Sequence, residues 1–141
     1  MDQLSSTKKG KVAEFALVAR LLKFGFNVFT PACDDAGVDL IAKIPRGIYI
    51  ELQVKARIVW KNTDTFIIND FPDDCNFFVA CYDLRKGDCF FIPGSVVKAS
   101  CQRIGKNGNW YVITYYFLQN NVRYKNKTGM KNIISYLDNL F

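Results

Sequence analysis

The stretch Ile48-Tyr49-Ile50-Glu51-Leu52-Gln53-Val54-Lys55 alternates between two kinds of side chain. Successive residues of a strand point to opposite faces, so Ile48, Ile50, Leu52 and Val54 share one face and Tyr49, Glu51, Gln53 and Lys55 the other. The aliphatic face belongs in a core. The polar face carries a carboxylate, an amide and an ammonium in a row. Upstream, Pro45-Arg46-Gly47 reads as a tight turn, and Val38 to Ile44 as the strand before it. The two strands then form a hairpin, which sets Asp39 and Gln53 on adjacent backbones, on one face if the register permits.

Working outward, Lys8 to Phe24 carries no proline, has Ser5, Ser6 and Thr7 as cap candidates and ends at Gly25, so it predicts a helix. Phe26 to Thr30 predicts a short strand ended by Pro31, and Cys33 to Gly37 a loop. Further strands are expected at Thr65–Asn69, Asn76–Tyr82 and Cys89–Ile92, the last two joined by the turn Arg85-Lys86-Gly87-Asp88. Trp110 to Leu118 reads as a long aromatic strand, and Asn120 to Gly129 as a polar, basic loop. Ile133, Ile134, Leu137 and Leu140 recur at helical spacing and predict a short closing helix. Helix, strand meander, late helix: the fold class is α/β with a central mixed sheet flanked by helices.

The 141 residues suit one domain, 1–141, with one real core. Half of the residues are hydrophobic and 15% aromatic, which excludes a disordered chain. No apolar run reaches the roughly 18 residues of a membrane helix, and no secretory apolar region opens the sequence. The five cysteines are odd in number and form no Cys-x-x-Cys pair. Reduced thiols in a cytoplasmic protein are the expectation. Histidine is absent altogether, so serine and cysteine triads and His-ligated zinc lose their usual base or ligand.

Three groups of residues could carry chemistry without histidine. Glu14 is the only acid of the first helix, inside an arc of Leu17, Val18, Leu21 and Leu22; alone, it reads as half of an ion pair or as a helix-edge glutamate. Asp39 opens a strand, where aspartate is a poor strand former, and alone could cap a turn. Glu51, Gln53 and Lys55 alone read as a solvated sheet face. Together they offer hard oxygen ligands for Mg²⁺ beside a lysine able to stabilise charge on an attacking water or on phosphate.

Lys9-Gly10-Lys11-Val12-Ala13-Glu14, Gly37-Val38-Asp39-Leu40-Ile41 and Glu51-Leu52-Gln53-Val54-Lys55, in this order, resemble the PD-(D/E)XK nuclease superfamily. The resemblance covers roughly residues 7 to 95 and is closest to small members, Holliday-junction-resolvase-like proteins and bacterial homing endonucleases; Phe90-Phe91-Ile92-Pro93 follows the hairpin as in such short members. It implies a restriction-endonuclease-like core and a DNA endonuclease that hydrolyses phosphodiester bonds with Mg²⁺, or Mn²⁺ as substitute. It also implies roles. Asp39 would be the central metal ligand, Gln53 and the carbonyl of Val54 further ligands, Glu14 the helix carboxylate at the metal or its water, and Lys55 the catalytic lysine. Val38 replaces the proline before the aspartate. Gln53 replaces an acid, which keeps an oxygen ligand but removes a negative charge; Glu51, on the same strand face, could compensate. Gly47-Ile48-Tyr49 spells the opening of a GIY-YIG motif, but no second half follows.

Nineteen Lys and Arg against 13 Asp and Glu give a net charge of +6, which suits a polyanion. Lys8, Lys9, Lys11, Arg57, Lys61, Lys125 and Lys127 are the candidates for phosphate contact. A homodimer or larger is expected, because one site cuts one strand. The alternatives are a nuclease-fold DNA-binding or assembly module that has lost cleavage, and a protein-interaction domain with a coincidental polar stripe.

Overall fold

In the computed structural model, which describes residues 3–33 and 37–140, the alternating stretch is the middle of a central strand, β3 (Tyr49–Arg57). β1 (Asn27–Phe29) and β2 (Leu40–Lys43) lie on one side of it, and β5 (Phe77–Asp83) and β6 (Cys89–Pro93) on the other, in the order β1-β2-β3-β5-β6. β2 meets β3 antiparallel through the expected turn, and β3 meets β5 in parallel, so the sheet is mixed. β4 (Thr65–Asn69), β7 (Gln102–Ile104) and β8 (Trp110–Thr114) form a second sheet in the order β4-β8-β7.

The first helix, α1 (Ser6–Phe24), has the predicted ends. The Ser5 side chain accepts from the Lys8 N–H, and Gly25 closes the helix at φ 102°, a left-handed conformation that glycine adopts without strain. Ala13, Leu17 and Leu21 of α1 pack with Ile50, Leu52 and Val54, so the aliphatic face of β3 is in the core. Ile133 and Leu137 of the last helix, α4 (Asn126–Leu140), complete that layer. On the opposite face, Val79, Cys81, Phe90 and Ile92 pack against Phe66, Ile68, Tyr111 and Ile113 of the second sheet. Two cores therefore share one sheet.

Three expectations need correction. The aromatic strand stops at Thr114, whose hydroxyl accepts from the Phe117 N–H 3.1 Å away and caps a short helix, α3 (Tyr115–Gln119). The loop expected over Asn120–Gly129 instead holds a 3-10 turn (Val122–Tyr124) and the first turn of α4. Here Gly129 is required by packing: a Cβ at that position would lie 1.9 Å from the Tyr124 carbonyl oxygen. The meander is also interrupted by α2 (Gly94–Ser100), which the sequence reading lacks. The loop predicted over Cys33–Gly37 falls partly outside the described residues, at 34–36.

Candidate active site

The register of β2 and β3 builds the centre of the site. Leu40 faces Leu52 and Ile41 faces Glu51; one residue further, Asp39 comes opposite Gln53. At this point β2 leaves the ladder, and Asp39 takes over as its terminus. Its N–H donates to the Leu52 carbonyl at 2.9 Å, and its Oδ2 accepts from the Val54 N–H at 2.7 Å. The two bonds bracket Gln53 and fix the carboxylate against β3. A strand residue turns its N–H and C=O to the same side, so the Val54 carbonyl also points to where β2 has ended.

Gln53 is buried, 8% exposed, although the sequence placed it on a solvated face. Its strand neighbour on the other side is Val79 of β5, in the second core. Above it runs Gly37, at φ 68°; a Cβ there would lie 3.6 Å from the amide Nε2, so the loop backbone closes over the glutamine.

Glu14 reaches this end of the sheet from α1. It shares a cleft of about 90 Å³ with Asp39, floored by Thr30, Pro31 and Val38. Lys11, one turn earlier, donates to its Oε2 at 2.8 Å, which answers how a carboxylate is tolerated beside an apolar stripe. Lys55 is half-buried in the next concavity, about 250 Å³, with Arg57, Thr65, Phe66 and Ile67. It stands one pleat repeat beyond Gln53, roughly 7 Å along the strand. The structure thus gathers Asp39, Gln53 and Val54, brings Glu14 to the Asp39 cleft and leaves Lys55 in a separate concavity, two residues beyond Gln53 on the same strand. Cys81 of β5 is registered with Lys55. Burial pushes this thiol well up, so it stays protonated beside the lysine. Glu51 pairs with Ile41 and Phe77, a repeat further from the cleft than Gln53. Among the described residues no cluster of three Asp, Glu, His or Cys side chains could hold a metal ion. The oxygen donors available are therefore mixed: the carboxylates of Asp39 and Glu14, the amide of Gln53 and a main-chain carbonyl. All are hard donors, which fit Mg²⁺ or Mn²⁺ and not a soft metal.

The candidate phosphate contacts separate into groups. Lys8, Lys9 and Lys11 lie at the start of α1, and Lys11 lines the cleft. Arg57 donates to the Thr65 carbonyl at 2.8 Å and pairs with Asp64 at 3.2 Å, and Lys61 is exposed in the loop that follows. Lys125 pairs with Asp88 at 3.4 Å, and Lys127 lies beside Arg20 and Lys23 near the end of α1. Lys23 is 12 residues beyond Lys11, about 18 Å along the helix axis. Trp60 and Arg85, which the sequence reading did not single out, flank the second group. The available signal was a tryptophan followed by Lys-Asn-Thr-Asp between two strands, a composition that marks a tight loop.

A mixed five-stranded sheet between helices, with Asp39 locked against Gln-x-Lys on the neighbouring strand, is the restriction-endonuclease-like core that the resemblance implied. The structure is similar to that of a bacterial homing endonuclease, with a TM-score of 0.59 and 23% identity over 78% of this chain and 74% of the other. It is also similar to a Holliday junction resolvase from the hyperthermophilic archaeon Archaeoglobus fulgidus, with a TM-score of 0.55 and 21% identity over 78% of this chain and 88% of the other. At these identities the likeness is one of fold. No family model and no curated protein sequence matches the chain.

Proposed function

We propose that this protein is a divalent-metal-dependent DNA endonuclease hydrolysing phosphodiester bonds, of the homing, restriction or resolvase kind. The observation that carries the reading is the Asp39 carboxylate hydrogen-bonded to the Val54 N–H, which sets it against Gln53 and its main-chain neighbours at the end of β2. Asp39, the Gln53 amide oxygen, the Val54 carbonyl and Glu14 would hold Mg²⁺, with Mn²⁺ as substitute. A cation bound there supplies Lewis acidity toward phosphate and lowers the pKa of water. Lys55 places its ammonium where charge develops on the attacked phosphate. Lys8, Lys9 and Lys11 hold the adjoining backbone. DNA is the partner, and a homodimer or larger assembly supplies a second site for the second strand. The free thiols fit a reducing cytoplasmic setting. No described helix is long and apolar enough to cross a membrane.

A second reading, a nuclease-fold DNA-binding module without cleavage, is favoured by the neutral Gln53, with no three-acid cluster among the described residues. Nicking of supercoiled plasmid in Mg²⁺, with and without chelator, separates the two. Lys55→Ala is expected to lower the nicking rate by about a hundredfold or more, the size of one lost electrostatic stabiliser, with melting temperature and DNA affinity nearly unchanged. Metal-independent nicking, or an unchanged rate in Lys55→Ala, would refute the endonuclease assignment to this site.

A further inference from the structure

Beyond the end of β3 the chain spends buried carboxylates on holding an exposed tryptophan still. Trp60 is 66% exposed, yet its N–H and that of Lys61 are bound by Asp64 Oδ2 at 2.8 and 3.1 Å. Asp83, fully buried, accepts from the Val59 N–H at 3.3 Å and the Arg85 N–H at 2.9 Å. Arg85 Nε donates to the Val59 carbonyl at 2.6 Å, and its guanidinium lies over the Trp60 ring, 5.2 Å from the centroid. The carboxylates thus hold the main chain that carries the ring, and Arg85 covers one indole face. The loop is tied down from below as well, by bonds of 2.8 Å from Tyr115 N to the Asp64 carbonyl and 3.1 Å from Tyr116 N to that of Asn62.

Holding an exposed aromatic ring costs entropy and buries little apolar surface, so the bonds that tie the loop explain its main chain and leave the exposed indole without a packing role. A ring already ordered binds a planar ligand without that cost. The charge around it selects the ligand. Arg85 lies over the ring and Lys61 follows it in the chain, while the nearby acids are buried. Asp64 is bound to the main-chain N–H groups of Trp60 and Lys61 and paired with Arg57, and Asp83 Oδ1 accepts from the Val59 and Arg85 N–H groups. A flat π-face amid cations is the chemistry that holds a nucleobase with its phosphates. In duplex DNA the base faces are stacked on each other and closed to such a ring.

We infer that Trp60, backed by Arg85, is a preformed stacking platform for an unpaired nucleobase, and that the DNA bound here carries single-stranded or unstacked nucleotides near the site of cleavage. Trp60 is five positions beyond Lys55, at most about 17 Å of chain, or roughly five stacked nucleotides. The inference names the substrate class of the proposed nuclease and rests on that reading for the nature of the ligand.

Binding is measured in chelator, so that cleavage plays no part, with a labelled oligothymidylate of about fifteen nucleotides and a duplex of equal length. Trp60→Ala is expected to weaken single-strand binding about tenfold, the size of one lost base stack, and duplex binding by less than about twofold. Trp60→Phe, which keeps a π-face, should recover most of the loss. In a Trp110→Phe background, the single strand should quench the remaining tryptophan fluorescence, which reads the contact even if Trp60→Ala is poorly folded. Equal losses on both ligands, no loss, no quenching, or no binding by the parent protein would overturn the platform. If the parent fails to nick plasmid while Trp60 still governs single-strand affinity, the platform stands and the endonuclease reading falls. If plasmid is nicked and Trp60→Ala binds the single strand as the parent does, the platform alone falls.

Discussion

β5 and β6 are buried at every position, whereas β1 and β2 alternate or lie open along the same sheet. The difference is the second layer. β4 and β8 cover β5 and β6 but stop short of β1 and β2, so one half of the sheet has two cores and the other has one. Each half wrote this into its residues. Phe77-Phe78-Val79-Ala80-Cys81 and Cys89-Phe90-Phe91-Ile92 are continuous apolar runs, as strands covered on both faces must be. Ile48 to Lys55 alternates because its second face borders the edge of that cover. Gln53 sits on the border, with Val79 on one side and Asp39 on the other, which is why a buried amide lies beside the end of β2.

The sharpest way to break this comparison is to delete the same side chain from both halves. Phe90 on β6, in the second core, is 1% exposed and Phe29 on β1 is 49% exposed. Phe90→Ala should cost about 3–5 kcal/mol of unfolding free energy. Phe29→Ala loses only a tilted contact with Tyr49, ring centroids 6.3 Å apart, and should cost about 1 kcal/mol or less. Urea unfolding checks both. Equal losses would mean that the open half is covered in solution, for instance by a second copy of the chain.

A smaller effect tests the border itself. If Gln53 supplies an oxygen to the metal, Gln53→Ala should lower Mn²⁺ affinity by about tenfold or more in calorimetry. Gln53→Glu should raise it, because the added charge favours a hard cation. Unchanged affinity in Gln53→Ala would remove this residue from the ligand set and move attention to Glu51.

The sequence made the hairpin legible through period-two alternation and a Pro-Arg-Gly turn, but left its register open; the observed register is what brings Asp39 opposite Gln53. It hid the second layer for physical reasons. Gly94-Ser95-Val96-Val97 combines glycine with β-branched residues, yet forms α2 because Val97 has a place in the second core. Tyr115 to Leu118 has strand-forming side chains, yet coils into α3 because the Tyr115 N–H is claimed by the Asp64 carbonyl and Thr114 caps the turn. Tertiary bonds overrode local preference at both places. Without that layer, neither the concavity around Lys55 nor the loop that fixes Trp60 could be read. The Lys11–Glu14 bond was within reach of helical spacing, three residues apart, although wheel geometry placed the lysines mainly on the other side.

The smallest expected effect lies in the loop that ties the two halves together at the end of β3. The Asp64 carboxyl is held below its ordinary value of 3.8, first by the N–H groups of Trp60 and Lys61 and then by the charges of Arg57 and Lys61, against an opposing effect of burial. The sign follows from linkage. A carboxyl whose folded pKa is depressed binds fewer protons in the folded than in the unfolded chain, so its stabilisation is present above the unfolded pKa and is lost as pH falls through the folded one. Asp64→Asn keeps a carbonyl oxygen for the N–H groups but cannot titrate. The parent should therefore exceed Asp64→Asn in urea midpoint near pH 6, and the gap should shrink near pH 3. Trp60 fluorescence, followed in a Trp110→Phe background, should report loosening of the loop over the same acid range. A gap that is independent of pH would show that the carboxylate charge contributes nothing there. The loop would then be held by hydrogen-bond geometry alone, and the order of Trp60 would be insensitive to acid.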